Sequence, residues 1–263
     1  MFVHNINPVL FQIGPLEIRY YGIIYALGFI ISYYMIYYLA KRKQLNLTKD
    51  DVSDYIFYSI IGVVLGARLA HILSNYSFYF NNPLQTLAVW NGGFAFHGGL
   101  IGLLIISLIF TKKKNIEFYD LADIVVIPAV LALAFGRIGN FTNGELYGRI
   151  TNVSWAVKFP NAEGFRHPSQ IYESLKNLFI FFILWFIKDK KLPKGFLFWL
   201  FVTLYGLIRF LIELLYREPI SPLGFIFFNL TITQIADIIM FLVGLFMIYK
   251  IKKGQHGSGL RFS

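Results

Sequence analysis

Residues Tyr20–Ala40 read YYGIIYALGFIISYYMIYYLA, an unbroken run without a charged side chain. A helix of about 20 apolar residues crosses the hydrocarbon core of a bilayer. The run stops abruptly at Lys41-Arg42-Lys43, as a span does where it leaves the membrane. Six further stretches have the same character: Asp54–Leu73, Phe94–Phe110, Leu121–Phe141, Ile171–Ile187, Phe196–Leu215 and Ile232–Tyr249. The first, fifth and seventh are the cleanest, and the others are broken by charge, His or Gly. The pattern predicts an all-α integral membrane protein with about seven transmembrane helices.

Composition agrees. Hydrophobic types make up 57% of the 263 residues and charged types only 14%, where soluble domains have about 45–50% and about 25%. The net charge of +10 therefore does not describe a nucleic-acid-binding or disordered chain, and the expected partner is the lipid bilayer. Fifteen of the 24 basic residues fall in the loops after spans one, three and five and in the C-terminal tail, and five on the opposite side. Cytoplasmic loops are the basic ones, so the N-terminus is expected outside and the C-terminus in the cytoplasm. Met1–Ile18 contains no Lys or Arg and so lacks the basic region of a signal peptide.

No internal repeat is evident, and residues 1–263 read as one polytopic membrane domain. Segment 142–170 holds Gly144, Gly148, Pro160, Gly164 and Pro168, which suits a small folded head on the outer face between spans four and five. The Gly/Ser-containing tail 254–263 is expected to be disordered. With no cysteine in the chain, a protein thiol nucleophile, a disulfide and a Cys-based metal site are excluded. Any thiol in the reaction must come from a substrate. Neither a metal nor a cofactor is expected.

Ionisable residues inside spans cost at least about 2.5–3.5 kcal/mol each and usually face a cavity, a partner or a ligand. Arg68 lies near the outer end of span two and His97 in the first turns of span three. Arg137 and Asn140 end span four, and Arg209 with Glu213 occupies the outer half of span six. Asp123 and Asp237 stand apart from this group. Three arginines against one glutamate require a compensating anion, and the planar guanidinium fork suits a phosphate. The expected ligand is a phospholipid head group at the outer-leaflet level. Structural alternatives stay open: Arg68 snorkelling, an i,i+4 pair between Arg209 and Glu213, and a packing role for His71. Gly62 and Gly66 read as a helix-packing face.

Gly136-Arg137-Ile138-Gly139-Asn140-Phe141-Thr142-Asn143-Gly144-Glu145-Leu146-Tyr147-Gly148-Arg149 is a helix end passing into a glycine-rich polar loop. The string resembles the signature of the prolipoprotein diacylglyceryl transferase family. Four other motifs resemble that family in order: Arg19-Tyr20-Tyr21-Gly22, Gly66-Ala67-Arg68, Gly92-Gly93 through Phe96-His97-Gly98-Gly99-Leu100, and His167-Pro168-Ser169-Gln170-Ile171-Tyr172-Glu173. A fifth spans Tyr205-Gly206-Leu207-Ile208-Arg209, Glu213 and Arg217-Glu218-Pro219. Departures are minor: Thr142 and Tyr147 replace bulkier residues, and Val126-Ile127-Pro128 a more usual Ala-Pro.

The resemblance implies transfer of an sn-1,2-diacylglyceryl group from phosphatidylglycerol to the lipobox cysteine of a prolipoprotein signal peptide, in the bacterial cytoplasmic membrane. It gives catalytic roles to His97, Arg137 and Arg209. Arg68, Asn140, Asn143, Glu145, Gly148, Tyr20 and Glu213 are expected to bind substrate. Two roles for His97 stay open, general base for the thiol or positioning of lipid. Two other classes compete. A transporter needs polar lining through both leaflets, whereas the inner halves of these spans are almost wholly apolar. For a structural subunit, three membrane arginines would be excessive.

Overall fold

A computed structural model describes residues 1–14, 16–88, 92–217, 225–227 and 230–257. Seven helices are long and apolar enough to cross a membrane: α1 (Tyr20–Arg42), α2 (Lys49–Ser74), α4 (Phe96–Lys114), α5 (Phe118–Thr142), α6 (Ser169–Ile187), α7 (Phe196–Tyr216) and α8 (Ile232–Gly257). A short helix α3 (Tyr76–Asn81) follows α2. The protein is thus an all-α membrane protein of seven spans. Helix α2 begins five residues before the apolar run because Thr48 and Asp51 close a reciprocal capping box; two backbone donors are satisfied within a charged first turn. Helix α8 continues to Gly257, so it claims the first residues of the tail expected to be disordered, and 258–263 lie outside the described residues.

The residues fall into two compact units, 33–121 and the combination of 1–32 with 122–263. In unit 33–121, α2 and α4 cross through four glycines. A Cβ on Gly62 would meet Ile106 Cγ1 at 2.5 Å, one on Gly66 the carbonyl of Gly98, and one on Gly102 the carbonyl of Gly62. Small residues let backbones approach closely where lipid offers no hydrophobic drive, which is the packing role expected of Gly62 and Gly66. Away from the crossing, Tyr55 OH lies 2.9 Å from Ser107 Oγ, and Lys114 pairs with Asp51.

In the other unit α5 is the most buried span. Ile124, Ile127, Val130 and Ala134, at steps of three and four, form its buried face. Gly28 of α1 meets Ala132, and Tyr21 lies against Gly139. Ser174 of α6 donates to Ala134 O. Asp123 accepts from the backbone N–H groups of Gly195 and Phe198 at 3.0 Å each, so it caps the N-terminus of α7. Helices α7 and α8 touch through Gly206 and Gly244, where a Cβ would strike Asp237 O and Thr203.

Sequence periodicity does not reveal three small two-stranded pieces. Strand β1 (Phe2–Val3) pairs in parallel with β4 (Val157–Lys158), β2 (Val9–Ile13) pairs with β3 (Leu16–Arg19), and β5 (Phe225–Phe227) with β6 (Leu230–Thr231). The β1–β4 pair ties the chain's start to segment 143–168, helped by Met1 N to Ser154 O at 2.9 Å and His4 Nε2 to Phe141 O at 2.7 Å. That segment is a folded head with Phe159 and Arg166 buried. The end of the unit that carries it is the head end.

Candidate active site

The head end of unit 1–32/122–263 gathers six ionisable groups from four helices. Arg137 comes from α5, Glu173 and Lys176 from α6, Arg209 and Glu213 from α7, and Asp237 from α8. Glu173 Oε2 lies 2.7 Å from Lys176 Nζ and 3.9 Å from Arg137 Nε. Arg209 Nε lies 3.3 Å from Asp237 Oδ1 and its Nη2 3.7 Å from Glu213 Oε2. Arg209 Nη1 also reaches Tyr205 OH at 3.4 Å, and Lys176 Nζ stands 3.7 Å over the Tyr205 ring. Thr231 and Thr233 donate to Glu213 Oε1.

Two expectations need correction. Asp237 does not stand apart but is the nearest carboxylate to Arg209. The cations of the cluster also differ from those expected: Lys176 joins Arg137 and Arg209 opposite Glu173, Glu213 and Asp237, and Arg217, just past α7, interacts electrostatically with Glu173, Arg137, Arg209 and Glu213. Geometry adds to the count. A charge-assisted N–H···O bond is about 2.7–2.9 Å long, and among the described residues no carboxylate oxygen comes that close to either arginine. Both arginine side chains are 18% exposed while those of Lys176 and Glu173 are sealed at 1–2%. Neither arginine fork is closed by a tight carboxylate pair among the described residues.

Above them, Asn140 Nδ2 and Asn143 Nδ2 both donate to Glu145 Oε1, at 2.7 and 3.3 Å. Gln170 Nε2 donates to Glu145 O at 2.6 Å, and Ser169 Oγ to Leu146 O at 2.9 Å. The loop is thereby tied to the first turn of α6, which also carries Glu173. Gly148 is needed for close approach: a Cβ there would strike Tyr216 O and sit 3.0 Å from His167 O. Its N–H bonds His167 O at 2.9 Å. Tyr20 points outward, 37% exposed. The tyrosine facing α5 is the next one, Tyr21, whose ring lies against Gly139 and whose hydroxyl lies 2.9 Å from Tyr25 OH. Beside the loop, His167 Nδ1 lies 3.0 Å from Tyr172 OH, and burial pushes the imidazole below its usual pKa.

The other unit carries Arg68, His71 and His97. Arg68 is buried, and its guanidinium donates to the carbonyls of Gln85, Thr86, Ala88, Gly92 and Gly93. Its donors hold the loop ahead of α4, so the guanidinium is tied to backbone carbonyls rather than snorkelling. Gly93, at φ +80°, is wedged between Arg68 and His71, where a Cβ would sit 2.9 Å from Arg68 Nη1 and 2.7 Å from His71 Nε2. His97 is exposed in the first turn of α4, and among the described residues no carboxylate lies within ion-pair distance. No group of three metal-ligating side chains occurs among the described residues.

Sequence alone presents Glu173 only as part of a motif and Lys176 only as a charge at a span edge. The signal that could have promoted them is the polar stripe Gln170, Glu173 and Asn177 at steps of three and four on an otherwise apolar helix. Residues Glu218 and Pro219 of the last motif lie outside the described residues.

A family model described as prolipoprotein diacylglyceryl transferase matches residues 8–250. Three relatives carry the name phosphatidylglycerol--prolipoprotein diacylglyceryl transferase. One from Geobacter sulfurreducens is 45% identical over 256 residues, covering 96% of this chain and 98% of its own. One from Aliivibrio salmonicida is 41% identical, covering 98% and 93%. One from Coxiella burnetii is 40% identical, covering 95% and 97%.

Proposed function

The chain belongs to the prolipoprotein diacylglyceryl transferase family, and from that premise we propose how its own residues carry out the transfer. It is a multi-pass membrane transferase whose lipid substrate is phosphatidylglycerol. The acceptor is the thiol of a lipobox cysteine in a prolipoprotein signal peptide. The sulfur, relieved of its proton, attacks the glyceryl carbon that bears the phosphate. The S–C bond forms as the C–O bond breaks, and glycerol phosphate leaves with the electron pair. The products are a thioether and glycerol phosphate.

The observation that carries this reading is the pair of open arginine forks. Arg137 and Arg209 are held by carboxylates beyond strong hydrogen-bond distance, so a phosphate can take their N–H donors without breaking a tight internal pair. Their role is to stabilise charge that grows on the leaving phosphate. Asn140, Asn143 and Glu145 form one hydrogen-bonded rim that orients the glycerol hydroxyls. Gly148 keeps the rim's backbone close to His167, and Glu213 fixes Arg209. Arg68 positions the loop that precedes His97. His97 acts as acceptor of the thiol proton, the alternative being a role in positioning lipid. The reaction belongs to the extracytoplasmic leaflet of the bacterial cytoplasmic membrane.

The deciding experiment incubates purified protein with phosphatidylglycerol and a lipobox peptide. The expected result is a diacylglyceryl mass increment on the peptide cysteine with release of glycerol phosphate. Folded protein that produces no increment overturns the reading.

A further inference from the structure

Lys176 occupies a place where a lysine is costly and where nothing above gives it a task. It lies seven residues past Ser169, about 10 Å along α6 from the head end at 1.5 Å per residue, and its side chain is 1% exposed. A lysine that merely tolerated this depth would run its stem towards water. This one keeps Nζ inside, 2.7 Å from Glu173 Oε2 and 3.7 Å over the Tyr205 ring. Its two partners are also the partners of the two open arginines: Glu173 faces Arg137, and Tyr205 OH accepts from Arg209.

One carboxylate oxygen of Glu173 thus serves two cations unequally, at 2.7 Å for Lys176 and 3.9 Å for Arg137. The other oxygen, Oε1, is buried and has no hydrogen-bond partner among the described residues. Lys176 is therefore the anchor of that carboxylate. Without it, both oxygens can swing onto Arg137 and form the bidentate pair that arginine and carboxylate favour. That pair would fill the fork a phosphate needs. We propose that Lys176 is a positioning residue that keeps Glu173 off Arg137, so that the guanidinium stays open to the phosphate of the lipid substrate. The inference rests on the phosphate-holding role proposed above for Arg137.

The test measures kcat and KM for phosphatidylglycerol with a fixed lipobox peptide. Lys176→Met is expected to raise KM about tenfold with kcat within about twofold, because ground-state lipid binding is what the closed pair blocks. Lys176→Met combined with Glu173→Gln is expected to bring KM back to within about twofold of the original, since an amide cannot close an ion pair on Arg137. If Lys176→Met lowers thermal stability and kcat while KM stays unchanged, the lysine is structural and the proposal is overturned. Should Lys176→Met fail to fold, Lys176→Arg and Lys176→Gln decide. The charged variant is expected to keep the original KM and the neutral one to raise it, and equal values overturn the proposal. Inactivity of the unmodified protein towards phosphatidylglycerol would instead refute the function, which separates the two failures.

Discussion

Arg137 has a single carboxylate oxygen in ion-pair reach among the described residues, and at 3.9 Å it is too distant to satisfy a guanidinium. This makes the residue's contribution measurable in isolation. Arg137→Ala is expected to leave the fold intact and to cut kcat/KM by about 10²–10³, the range seen when one donor to a developing oxyanion is lost. Arg137→Lys should recover little, because an ammonium is a point charge without the planar fork. Size-exclusion behaviour and the transfer assay together check both. His97 is exposed and among the described residues has no carboxylate within ion-pair distance, so its two roles separate cleanly: His97→Asn keeps a hydrogen-bonding side chain but cannot take a proton near pH 7. The proton-acceptor role predicts a fall of about 10²–10⁴ in kcat, and near-normal turnover would leave only lipid positioning. The arginines themselves stand out in the sequence because a charge within an apolar run is conspicuous. Their partners are less visible. Asp237 follows Arg209 by 28 positions, and only the crossing of α7 with α8 brings it within 3.3 Å.

At the level of elements, the α2–α4 crossing has no room for side chains at Gly66 or Gly102. Gly66→Ala and Gly102→Ala are each expected to destabilise by about 1–3 kcal/mol, the cost of overpacking a close contact. Gly22→Ala, with nothing within 4 Å of its Cβ position, should be neutral or slightly stabilising in its helix. Thermal unfolding in detergent checks all three. The head carries a pH signature. Burial holds the His167 imidazole below its ordinary 6.5, so the unfolded chain takes up this proton first as the medium acidifies. Stability is thus complete above about pH 6.5 and declines as pH falls towards the lower folded value. His167→Gln, which can still bond Tyr172, is expected to flatten that decline in unfolding measurements from pH 7.5 to 5.5. All seven spans were readable from apolar length, and Gly62 with Gly66 from their four-residue spacing. The β1–β4 pair was not, because two-residue strands leave no periodicity and their register is set by contacts across more than 150 positions. Nor could Arg68 be recognised as the tie for the loop ahead of α4, since carbonyl acceptors carry no sequence signal.

For the molecule as a whole, orientation in the membrane decides whether the arginine site meets lipid and peptide on the extracytoplasmic side. The argument for that side is the distribution of basic residues: Lys41, Arg42, Lys43 and Lys49 lie between the last turn of α1 and the start of α2, Lys112, Lys113 and Lys114 form the last turn of α4, and Lys188, Lys190, Lys191 and Lys194 follow α6, and the cytoplasmic side of a membrane protein collects Lys and Arg. The head, α5's last turn and the first turn of α6 lie at the opposite ends of their helices. The absence of cysteine makes the orientation directly testable, because a single introduced cysteine is labelled without background. Ser154 in the head and Lys190 after α6 are both exposed. In intact bacterial spheroplasts, Ser154→Cys is expected to react with a membrane-impermeant maleimide, and Lys190→Cys only after permeabilisation. The reverse pattern would place the open forks of Arg137 and Arg209 on the cytoplasmic side. Their lipid would then come from the inner leaflet, and a translocated signal peptide could not be the acceptor.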